Sequence, residues 1–107
     1  MTIYALSTGS SVSGIAIIRV SGENTKKIIE SLTNKSVPVP RVATLRKINK
    51  INTSELIDEG IIIWFPGPES YTGEDMAEFH IHGGKAVIDA MNQSLSKIHN
   101  CRLAEAG

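Results

Sequence analysis

One cysteine, no net charge and no long apolar run are what this sequence lacks, and each absence removes a class of protein. The lone Cys101 cannot close an internal disulfide. Nothing near Met1 reads as a basic region, an apolar core and a small-residue cleavage site, and an intracellular protein is the expectation. The longest apolar run, Gly60 to Phe65, is far short of a membrane span, so no membrane association is expected. The 11 basic and 11 acidic residues cancel, which removes the positive field behind most non-specific nucleic-acid affinity. No G-x-x-x-x-G-K run followed by Ser or Thr occurs, so GTP hydrolysis is not expected of these residues. Internal repeats, low-complexity tracts and flexible linkers are absent too.

What is present fits one globular domain spanning residues 1–107. Hydrophobic content is 41% and charged content 21%, ordinary for a soluble fold. A chain of this size buries roughly 60 to 70% of its unfolded surface, enough for one modest core. Ile3 to Thr8 and Gly14 to Val20 are β-branched runs separated by a Gly/Ser loop, which predicts two strands. Ser21-Gly22-Glu23-Asn24 offers helix-start chemistry, and Ile28, Ile29 and Leu32 recur at helical spacing. Val42 to Ile48 predicts a strand, Asn49 to Ser54 a polar turn, and Leu56 to Phe65 a long strand placed centrally in a sheet. Met76 to His82 is the next strand. Gly83-Gly84 then opens a helix whose apolar face is Val87, Ile88, Met91, Leu95 and Ile98. Cys101 to Ala104 closes the chain as a short strand, with Cys101 read as a small apolar residue rather than a reactive thiol. The order ββαβββαβ is α+β, with a mixed sheet and two helices.

Polar chemistry concentrates between Phe65 and Gly84. Pro66, Gly67, Pro68 and Gly73 end the preceding strand and force a turn, and Glu74-Asp75 reads as a capping and turn element. Alternation along Met76 to His82 puts Met76, Glu78, His80 and His82 on one face and Ala77, Phe79 and Ile81 on the core face. Three readings compete for the polar face. Glu78 could accept two parallel hydrogen bonds from the polar edge of a ring. Glu78, His80 and His82 could supply three ligands to a zinc ion. The backbone at Gly83-Gly84-Lys85 could hold an anion, or the glycines could simply be needed for the turn. Arg19 breaks an apolar strand, either as a ligand contact or as an edge-strand arginine paired with a surface carboxylate.

The run Phe65-Pro66-Gly67-Pro68-Glu69-Ser70-Tyr71-Thr72-Gly73-Glu74-Asp75, with Glu78 and His82-Gly83-Gly84 following, resembles a pattern in the tRNA modification GTPases of the MnmE (TrmE) family. Gly14 to Gly22, Pro40 to Arg46, Ile57 to Gly60 and Arg102 to Gly107 agree in order, so the resemblance covers nearly the whole chain. It departs at Thr8 to Gly14, where the family has prolines and a basic residue, and at Lys85 and Ala106, where it has proline.

The resemblance implies a tetrahydrofolate-binding fold shared with the aminomethyltransferase of the glycine cleavage system, in which two such units complete the architecture. It implies an N-terminal folate-binding and dimerisation domain, with Glu78 holding the pterin and Arg19 contacting a carboxylate or carbonyl of 5-formyltetrahydrofolate or a related folate. A further contact, a lysine, would lie beyond Gly107. The full enzyme would be a cytoplasmic homodimer that modifies C5 of the tRNA wobble uridine with an FAD-dependent MnmG (GidA) family partner. GTP, potassium and magnesium would belong to a G domain outside these residues. Alternatives are a folate-dependent aminomethyltransferase fragment, or a metal-binding domain using Glu78, His80 and His82.

Overall fold

The computed structural model describes residues 1–6 and 14–104. The elements run β1 (Thr2–Leu6), β2 (Ile15–Ser21), α1 (Thr25–Thr33), β3 (Thr44–Asn49), β4 (Leu56–Phe65), β5 (Met76–His82), α2 (Lys85–Ser96) and β6 (Cys101–Leu103). This is the α+β order expected. The end of the first predicted strand at Thr8, the altered Gly9 to Ser13 loop and Ala106 lie outside the described residues.

The strands form one sheet in the order β3-β4-β5-β2-β1-β6. Every pairing is antiparallel except β1 with β6. The sheet is therefore mixed, and β4 has a neighbour on each side as its Ile-Ile-Ile-Trp run requires. Alternation sorts side chains onto two faces. One carries Ile18, Val20, Ile62, Trp64, Ala77, Phe79 and Ile81, all buried, and both helices cover it through Ile28, Ile29, Leu32, Met91 and Leu95. Val87, Ile88 and Ile98 pack at the margin of this core. Ile98 lies past the end of α2 but still serves the apolar face predicted for it.

Boundaries shifted where backbone geometry overrides pattern. The first helix starts at Thr25, because Gly22 has φ 140° and its amide donates to the Asp75 carbonyl. Adding a Cβ at Gly22 would bring it 2.6 Å from the Thr2 backbone, so the glycine is needed for close approach. Asn34, at φ 56°, ends the helix by donating its amide to the Glu30 carbonyl, a left-handed cap. β3 starts at Thr44 rather than Val42, because Arg41 at φ 63° and the Val42 amide bonded to the Val39 carbonyl hold a turn.

The second face of the sheet has no helix over it among the described residues. Ile17, Ile61, Ile63 and Phe65 sit there half-buried, with Ile3, Ile15 and Leu45 exposed beside them. Arg19, Glu78 and His80 share this open face.

Candidate functional site

Register brings the polar groups together. β2 pairs with β5 so that Arg19 lies opposite Glu78 and Ile17 opposite His80, while β4 sets Ile63 beside Glu78 and Ile61 beside His80. Arg19 donates to Glu78 Oε2 from Nη2 at 2.6 Å and from Nε at 3.2 Å. Glu78 Oε1 lies 3.0 Å from His80 Nε2. The Glu78 side chain is 16% exposed and that of Arg19 37%. The structure thus joins Arg19 and Glu78 directly, and Arg19 stands on an interior strand of the sheet rather than an edge.

Burial pushes the Glu78 carboxyl upward, but hydrogen bonds from His80 and Arg19, reinforced by their charge, outweigh it and hold the group below the usual carboxylate range. Glu78 is therefore an ionised acceptor at neutral pH. Each carboxylate oxygen has two lone-pair directions, so the two Arg19 bonds to Oε2 and the His80 bond to Oε1 leave acceptor capacity for one more donor, on Oε1, while fixing the carboxylate's orientation. Arg19 likewise commits two of its five N–H donors, leaving three for a ligand oxygen.

The turn after β4 supplies the neighbouring wall. Asp75 Oδ1 accepts the Gly67 amide at 2.9 Å, and Arg41 donates to the Glu69 carbonyl at 2.7 Å. Asp75 is the turn element its position predicted. These bonds place Tyr71, 87% exposed, with its ring centroid 5.8 Å from the Arg19 guanidinium carbon, within cation–π range. Ser21 Oγ and Thr72 Oγ1 share a hydrogen bond of 2.8 Å beside it. Arg19, Tyr71, Ser21 and Ile3 help to line a cavity of about 150 Å³. Glu78 is not among the residues that line it.

The proposed metal triad does not assemble. His80 is turned to Glu78, whereas His82 Nδ1 lies 2.9 Å from Asp58 Oδ1 on β4, and the His82 amide donates to Asp58 Oδ2 at 2.9 Å. Among the described residues no group of three His, Cys, Asp or Glu could hold a metal ion. His82 works through a hydrogen bond that secures the end of β5. At Gly83-Gly84-Lys85, the anion reading loses the Gly83 amide. The Gly83 amide extends the strand ladder to the Gly14 carbonyl, and Lys85 Nζ pairs with Asp89. Neither Gly83 nor Gly84 has positive φ, so close packing of Gly83 on Gly14, not a left-handed turn, explains the first glycine.

Sequence reasoning missed Asp58, Tyr71 and Thr72. Asp58 was detectable as a half-buried acid in β4, where its neighbour Glu59 is exposed. Burial raises its carboxyl, but hydrogen bonds from the His82 amide and ring and the Glu59 amide outweigh that and lower it. Cys101 is buried, and burial pushes its thiol up, which fits the small apolar residue expected.

Comparison with known proteins identifies the family. A family model described as the GTP-binding protein TrmE N-terminus matches residues 2–107. The chain is 78% identical, over its whole length, to the tRNA modification GTPase MnmE of Pelagibacter ubique, covering 24% of that protein. Over 99% of its length it is 51% identical to a mitochondrial 5-taurinomethyluridine tRNA synthase subunit of Danio rerio, covering 21% of it. It is 45% identical to the tRNA modification GTPase MnmE of Brucella anthropi, covering 24%. The chain spans about a quarter of the length of these curated relatives.

Proposed function

The chain belongs to the TrmE N-terminal family, and we propose that it is the N-terminal domain of a tRNA modification GTPase, where it binds a reduced folate and dimerises. The observation that carries the folate reading is the half-buried, pre-oriented Glu78 carboxylate between Arg19 and His80 on an apolar face that no helix covers among the described residues. Glu78 would accept the amino group and ring N–H of a pterin, one on the free site of Oε1 and the other in place of one Arg19 bond to Oε2. Arg19 would both hold Glu78 in place and offer its free N–H groups to a carboxylate or carbonyl. Tyr71 would close over the ring. A bound 5-formyltetrahydrofolate, or a related folate, would supply a one-carbon unit for the wobble uridine.

Dimerisation rests on the same face. Ile15 and Leu45 are exposed there and Ile17, Ile61 and Ile63 half-buried, an apolar surface that a partner could cover. A second copy would cover it in a symmetric interface of about 1,200 to 2,000 Å². Sedimentation at micromolar concentration tests this, and a strict monomer in the full-length protein would refute it. Hydrolysis of GTP, with its potassium and magnesium, would fall to a G domain outside residues 1–107, and tRNA and an FAD-dependent MnmG-type subunit would be partners of the full cytoplasmic enzyme. Among the described residues no helix is long and apolar enough to cross a membrane.

Calorimetric titration with 5-formyltetrahydrofolate tests the folate site. Glu78→Ala should weaken binding by about 2 to 5 kcal/mol, because ligand donors are left buried and unpaired. Glu78→Gln should lose most of the affinity, since only one oxygen acceptor remains. Binding indifferent to Glu78, in variants whose amide spectra match the parent, would overturn the reading.

A further inference from the structure

A second cavity, of about 430 Å³, opens on the helical side of the sheet, away from Arg19 and Glu78. Its size falls in the range of small-ligand sites. Three segments wall it: α1, the turn after β3, and the stretch following α2. Hydrogen bonds tie these segments to one another. The Asn52 amide donates to the Ser31 carbonyl at 3.2 Å, the Ile51 amide to Ser94 Oγ at 3.3 Å, and Asn24 Nδ2 to the His99 carbonyl at 3.4 Å. The walls are therefore fixed relative to one another by the fold itself.

The lining has two parts of different chemistry. Ile28, Ile51 and Ile98, continuous with the core, make an apolar floor. Lys27 and Lys97 stand at the rim, one from each side, with His99 beside them. Neither lysine has an ion-pair partner among the described residues; of the acids on the adjoining segments, Glu23 pairs with the Met1 ammonium and Glu55 with Lys50, while Glu30, three residues from Lys27 on α1, forms no ion pair among the described residues. An apolar floor beneath two uncompensated ammonium groups suits a ligand with a flat, weakly polar body and an anionic group.

We propose that this cavity is a nucleotide-binding site, with Lys27 and Lys97 holding a phosphate and the isoleucine floor taking the base. The overall charge balance of the chain does not oppose this, because affinity here comes from two local charges and an apolar contact rather than a net field. The same chemistry is presented by a free nucleotide and by a nucleotide within an RNA strand, and the experiment separates them.

Titration of the ¹⁵N-labelled chain with adenosine monophosphate, and separately with a short single-stranded oligoadenylate, reads the site by amide shifts. Saturating shifts at Lys27, Ser31, Asn52 and His99 are expected. Lys27→Gln and Lys97→Gln should each weaken binding about tenfold or more, while Lys26→Gln, exposed on the same helix but outside the cavity, should not. Tighter binding of the oligomer assigns the site to an RNA strand, and equal or tighter binding of the monophosphate to a free nucleotide. Absence of shifts with either probe up to about 10 mM, beyond weak specific affinity, would overturn the proposal. So would shifts confined to the open face, or equal loss from Lys26→Gln and Lys27→Gln.

Discussion

Removing Arg19 should cost more than removing Glu78, and removing both should cost less than the sum. The two side chains exchange two hydrogen bonds across β2 and β5, but their surroundings differ, since Glu78 is 16% exposed and Arg19 37%. Breaking a fully buried ion pair costs about 3 to 5 kcal/mol, whereas an exposed pair contributes about 0 to 1 kcal/mol. Solvent reaches more than a third of Arg19 and screens the pair, so the expected cost of Arg19→Met is about 1 to 2 kcal/mol. Methionine keeps much of the apolar stem, so the loss reports the guanidinium. Glu78→Gln keeps an acceptor for His80 or Arg19 and releases the guanidinium to water, so about 1 kcal/mol or less is expected. The double variant should recover about 1 kcal/mol of coupling, because no carboxylate is left without its partner. Urea denaturation at neutral pH measures all four corners of the cycle, and each kcal/mol corresponds to about 4 to 8 °C in melting temperature. Costs that add within about 0.3 to 0.5 kcal/mol would refute the reasoning and class the pair with ordinary surface contacts.

Gly60→Ala should destabilise by about 2 to 3 kcal/mol, because the new Cβ would meet the His80 carbonyl oxygen at 2.3 Å and force β4 from β5; Gly84→Ala, which meets nothing within 4 Å, should be near neutral, and equal melting temperatures for the two would sink the argument. Glu78 and Asp58 are held below their ordinary values, so their stabilisation is present above the unfolded pKa values of about 4.3 and 3.9 and is lost as pH falls through the lower folded ones. Glu78→Gln combined with Asp58→Asn should therefore flatten the acid limb of the stability curve, and an unchanged slope would count against it. Cys101, buried with its thiol raised, should react with a thiol reagent only on unfolding; immediate stoichiometric labelling of the native chain would contradict that.

Much of the fold was legible because period and breakers agree along most of the chain. Leu56 to Phe65 and Met76 to His82 are strands over the residues predicted, since β-branched and aromatic runs there end at prolines or glycines. The alternation along β5 correctly put Phe79 in the core and Glu78 and His80 on the opposite face. Helix starts were less legible. Neither helix has a side-chain cap bond at its N-terminus, so the chemistry that marks such a boundary in sequence is missing. At α1 the role passes to Thr2, whose Oγ1 accepts the Asn24 amide, a residue 22 positions away.

The candidate site was legible as residues and illegible as an arrangement. Arg19 stood out as a charge in an apolar strand, and Glu78 as an acid at an alternating position. That they face each other depends on the register of β2 against β5 across 59 residues of sequence, which no local pattern encodes. The same register separates the residues that looked most like a unit. His80 and His82 share a face of β5, yet His80 faces Glu78 and His82 binds Asp58, because β4 presents an acid only at the far end of their pairing. Spacing of two along a strand guarantees a common face but not a common partner, and the partner is set by which strand lies alongside. Here that choice leaves Glu78 held from two sides before any ligand arrives. A carboxylate so fixed has little rotamer freedom left to lose on binding, and that preorganisation favours Glu78 over either histidine as the anchor of the open face.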